Sequence, residues 1–132
     1  MLSKSTMPEM WRGLMESPSV DNVDGECCVC RALGLRTPAS DRHHMVPRSA
    51  GRLFDCRGRE LAKPTIRLCG MGNASGHHGA AHSGLLHFRW VVDEPSPQAM
   101  CQATGGHLEF LLLDEPADRL AALSTRKGWR RI

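Results

Sequence analysis

LCGMGNASGHHGAAHSG, residues 68–84, is the stretch on which the reading of this chain turns. It begins with a glycine-rich loop after Cys69 and ends in a run of small residues holding His77, His78 and His82. On a helix, His78 and His82 stand four residues apart, so their imidazoles leave the same face about one turn from each other, close enough to bind one cation. His77 does not share that face, because the residue four positions on is Ala81. A lone HxxxH carries little weight, and its surroundings decide what it means.

Upstream, CCVC places Cys27 and Cys30 three positions apart, a spacing that lets two thiolates chelate one divalent cation from a tight turn. Cys28 is an alternative to Cys27 with a poorer bite. Cys69 and His77, joined by a loop able to fold back, complete a tetrahedral Cys3His set of the closed, structural kind. Cys56 and Cys101 have no partner at metal spacing and read as buried thiols. Between these pieces lies DRHHMVPRS, residues 41–49, extended and bounded by proline. On a strand neighbouring side chains point to opposite faces, so His43 and His44 should do different jobs. One can join the cation while the other lies beside it, ready to take a proton from water. Phosphodiester hydrolysis needs both, and Arg48 could hold the phosphate.

The chain has 132 residues, room for one domain with tails, and its 41% apolar content includes three Trp, three Phe and no Tyr. So modest a core gains from a metal staple. No apolar run approaches the ~18 residues of a membrane span, and no signal peptide is evident, so a soluble, cytoplasmic protein with reduced cysteines is expected. Residues 31–67 carry nine basic side chains against three acids, whereas residues 93–118 carry six acids and no Lys or Arg. The positive field therefore gathers where the histidines begin, which suits a polyanion. Residues 1–25 read as an accessory tail with no function placed in it, residues 26–92 as the core, and residues 93–132 as an extension packed on the same domain. In that extension LLHFRWVV and HLEFLLL predict an antiparallel hairpin, and Glu115-Pro116 opens a short helix with Leu120 and Leu123 as its apolar residues.

Together CCVC, RHHMVPRSAG, RLCGMGNASGHHGAAHSG and LHFRW, spanning residues 27–92, resemble the HNH endonucleases. These are the ββα-metal or His-Me finger nucleases, here in the zinc-stapled form common in bacteriophage and prophage genes. The resemblance implies an α+β fold: a small ββα-metal core with a structural zinc site and an added C-terminal β-hairpin and short helix. It implies metal-dependent hydrolysis of DNA phosphodiesters, with His44 as general base, Arg48 at the phosphate, and His43, His78 and His82 holding the catalytic cation. Cys27, Cys30 and Cys69 match the structural zinc ligands, and His77 stands where the family usually has a cysteine. The family's middle asparagine falls near Lys63-Pro64-Thr65, where this chain has none; Thr65 offers a substitute hydrogen bond, and Asn73 lies elsewhere, in the glycine-rich loop. Zn, Ni, Mn or Co suits three imidazoles, with Mg a less natural match. DNA is the expected partner, together with a protein that supplies targeting, and no membrane. The competing expectation is a catalytically weak or inactive zinc-stabilised module that binds DNA or protein in a phage packaging or recombination apparatus.

Overall fold

The computed structural model describes residues 11, 13, 14, 17, 19, 20, 25–39, 41–47, 50–54, 57–71, 75–92 and 106–132. Arg48, Cys56, Asn73, Cys101 and the loop expected between the two C-terminal strands lie outside them. Helix α1 (Cys28–Ala32) starts at Cys27, whose sulfur accepts the Cys30 amide and so caps the turn. Strand β1 (Asp41–His44) is followed by the short pair β2 (Leu53–Phe54) and β3 (Glu60–Leu61), then by β4 (Thr65–Leu68) and helix α2 (Gly76–Ser83). Strands β5 (Leu86–Val92) and β6 (Gly106–Leu112), helix α3 (Arg119–Leu123) and strand β7 (Arg130–Arg131) complete the chain.

β1 pairs antiparallel with β4, setting His43 opposite Ile66 and His44 opposite Thr65. Along β1 half-buried and exposed positions alternate, which turns His43 inward and His44 outward. On the partner strand Ile66 and Leu68 are fully buried and anchor the pair. β5, β6 and β7 form a second antiparallel sheet, with Phe88 of β5 opposite Phe110 of β6, both buried. Burying side chains of this size stabilises by about 1.5–3 kcal/mol each. Helix α2 lies between the two sheets in sequence and packs on β5 and β4.

The architecture is a small α+β fold holding a Cys3His cluster. The expected hairpin forms, but the last helix begins at Arg119 instead of near Pro116. Asp118 explains the shift, since its carboxylate accepts the Ala121 amide at 2.8 Å and supplies the cap that Glu115-Pro116 does not. A second difference concerns residues 1–25: Leu14 is fully buried in the core, and the Val20 amide donates to the Thr65 carbonyl at 2.8 Å, extending the β1–β4 pair by one bridge. Among the described residues no helix is long and apolar enough to cross a membrane.

Candidate metal centres

Cys27 and Cys30 come from the first turn of α1, Cys69 from the end of β4, and His77 from the start of α2. The His77 Nδ1 atom lies 3.5, 3.3 and 3.5 Å from the sulfurs of Cys27, Cys30 and Cys69, and the sulfurs of Cys30 and Cys69 are 3.8 Å apart. A tetrahedron built on ordinary zinc bonds to sulfur and nitrogen has edges of about 3.8 Å between sulfurs and about 3.5 Å from sulfur to nitrogen. The donor set therefore suits zinc. Cys28 is turned away and donates its thiol to the Val20 carbonyl at 3.8 Å, which decides between the two neighbouring cysteines. Burial, with the nearby Cys27 and Cys69 sulfurs, pushes the Cys30 thiol up to about 12 against a hydrogen bond with Thr37. Without a cation the Cys30 sulfur stays protonated, and metal binding must release its proton.

The second cluster joins β1 to α2. One nitrogen each from His43, His78 and His82 lies within 4.8 Å of the others. The His43 ring sits 5.1 Å from each of the other two rings, nearly perpendicular to His82. The Nε2 atoms of His78 and His82 are 3.0 Å apart, close enough for both to reach one cation at ~2.1 Å. On its other side the His78 Nδ1 atom is 3.2 Å from the Asp41 carboxylate. A proton donated there leaves the Nε2 lone pair of His78 facing His82, the arrangement that orients a metal-binding imidazole. Burial foremost, then the charges of His78, His82 and His44, lowers the His43 pKa to about 4. His43 is thus a neutral ring at neutral pH, with a lone pair to offer.

His44, on the outer face of β1, joins these three rings in lining a cavity of about 450 Å³. The turn after it is tied down by Lys63, whose ammonium donates to the Pro47 carbonyl at 3.0 Å, and by the Met45 amide, which donates to the Pro64 carbonyl at 3.1 Å. Thr65 bonds elsewhere: its backbone amide donates to the Ser19 hydroxyl at 3.0 Å and its own hydroxyl lies 3.3 Å from the same oxygen. Of the residues expected at the site, Arg48 lies outside the described residues, and the others fall into the two clusters or beside them. Three further side chains emerge: Asp41 against His78, and Trp11 and Arg119 in the cavity wall. Asp41 was legible in principle, since period-two alternation puts it on the face of His43. No local pattern marks Trp11 or Arg119, which arrive by tertiary packing.

Compared with protein-family models, with curated proteins and with solved structures, the chain matches none. The functional reading therefore rests on the side chains themselves.

Proposed function

We propose that this chain is a metal-dependent endonuclease of the HNH type, hydrolysing DNA phosphodiesters with His44 as general base and one divalent cation at His43, His78 and His82. The observation that carries the proposal is the split of two adjacent histidines across β1. His43 turns in to meet His78 and His82, while His44 turns out into the same cavity. A closed structural site has no use for a fourth imidazole beside it, whereas hydrolysis does. A cation there supplies charge neutralisation at a phosphate oxygen. His44 takes the proton from the attacking water, Asp41 orients His78, and Lys63 fixes the turn that carries His44. We read Lys63 as standing in for the missing HNH asparagine, because it supplies a loop-tying hydrogen bond from the same stretch of chain. The Cys3His cluster holds zinc as a staple, and the arginine-rich stretch over residues 31–67 supplies the field that draws the polyanion.

Plasmid cleavage with added Mn, Ni, Zn or Mg tests this reading. The wild-type chain should nick or linearise the plasmid, and His44→Ala should lose at least about 100-fold in rate while bound zinc stays at one per chain. A folded, zinc-bearing protein that fails to cleave with any of these cations would overturn the proposal and leave a binding module in its place.

A further inference from the structure

Arg119 is a cation placed where burial works against it. Its side chain is half-buried at the start of α3, and loss of water pushes its pKa down to about 10. Contacts with two neighbouring elements help to fix its position. A terminal nitrogen donates to the Phe88 carbonyl, and the guanidinium lies 4.3 Å over the Trp11 ring. Phe88 in turn places its own ring 6.4 Å from that of His43. Arg119 and Trp11 thereby share the cavity of about 450 Å³ with His43, His44, His78 and His82. The guanidinium thus packs on Trp11 and bonds the Phe88 carbonyl in a wall rich in imidazole.

We propose that Arg119 binds the phosphate of the substrate in this cavity, beside the three-histidine cluster; the proposal rests on the phosphodiesterase reading above. A guanidinium carries five N–H donors in a planar fork, a shape that meets two phosphate oxygens side by side. Stacking on Trp11 restricts its rotamers before substrate arrives, so little freedom remains to be lost on binding. The C-terminal extension then becomes part of the site, through Arg119 of α3 in the cavity wall. A purely structural strap from α3 to β5 would use the same carbonyl and the same ring, and the test must separate the two roles.

Bis(p-nitrophenyl) phosphate is a suitable probe, because it offers a diester without a DNA duplex. Turnover of this diester and of plasmid should be measured for wild type, Arg119→Met and Arg119→Lys, together with zinc content and calorimetric binding of inorganic phosphate to the nickel-loaded protein. Arg119→Met should lose about 100-fold in kcat/KM on both substrates and lose phosphate binding, with zinc still at one per chain. Arg119→Lys keeps the charge without the fork and should fall about tenfold. Should the Met variant fail to fold, Arg119→Lys decides alone, and wild-type turnover and phosphate affinity in it overturn the proposal. Turnover of Arg119→Met within about threefold of wild type, with only a lower melting temperature, leaves Arg119 a strap and the nuclease reading intact. If wild type hydrolyses no diester, the nuclease reading falls; phosphate binding that disappears in Arg119→Met still upholds the anion site, and binding that is equal in both or absent from both overturns it.

Discussion

A proton and any cation held by the three-histidine cluster would compete for the same nitrogen of His43, and the fold has already taken a side. With its pKa lowered to about 4 from the usual 6.5, His43 stays neutral in the folded chain at pH values where the unfolded chain has picked up a proton. The sign follows: stability is complete above about pH 6.5 and is lost progressively as the pH falls towards 4. Urea unfolding of the zinc-bearing protein, freed of any second cation, should weaken by on the order of 2 kcal/mol between pH 7 and pH 4.5, and His43→Gln should flatten that slope. Lys63 offers a second check. Lys63→Met removes the hydrogen bond to Pro47, so stability should drop by about 1–2 kcal/mol, and plasmid cleavage should slow more than that modest loss of folded protein explains. At this scale the sequence was informative wherever a period decides: the strand alternation separated His43 from His44, and the helical spacing joined His78 to His82. It misdirected at Thr65, expected to tie its own loop, whose hydroxyl instead lies 3.3 Å from the Ser19 oxygen, because a hydroxyl's partner depends on which segment packs above it.

The loop into α2 shows how an element enforces a donor geometry. Gly70 has φ +97, and a Cβ there would stand 1.9 Å from the Ser75 carbonyl oxygen; at Gly76, φ +65, it would stand 2.6 Å from the Cys69 carbonyl oxygen. Both glycines let the chain double back so that Cys69 and His77 reach one point. Gly70→Ala should lower zinc content below one per chain and destabilise by about 3 kcal/mol or more. Gly58→Ala is the control, since φ is again positive, at +80, but nothing lies within 4 Å; it should cost only about 1 kcal/mol and keep its zinc. His77→Cys should retain the metal, as thiolate and imidazole both ligate zinc. Elements with strong patterns, β5 and β6 above all, were legible to within a residue. The start of α3 was not, because the competition between Pro116 and the Asp118 cap is settled by which side chain reaches an amide.

At the scale of the molecule the N-terminal segment was the least legible part. Leu14 is fully buried and Trp11 lines the cavity, yet short apolar stretches far from the rest of the core carry no sign of what they will cover. The two metal clusters are further linked through α2, since His77 belongs to one and His78 to the other. A strong chelator that extracts zinc should therefore abolish binding at both centres and unfold the chain, followed by far-UV circular dichroism and a metal count. His82→Ala should empty only the second centre, with the melting temperature nearly unchanged. Because consecutive residues of one helix belong to the two clusters, zinc held at the Cys3His set would fix the register of the helix on which His78 and His82 converge. Under the nuclease reading, arming has a compulsory order, and a chain born into zinc scarcity would be harmless to the DNA around it with no inhibitor present.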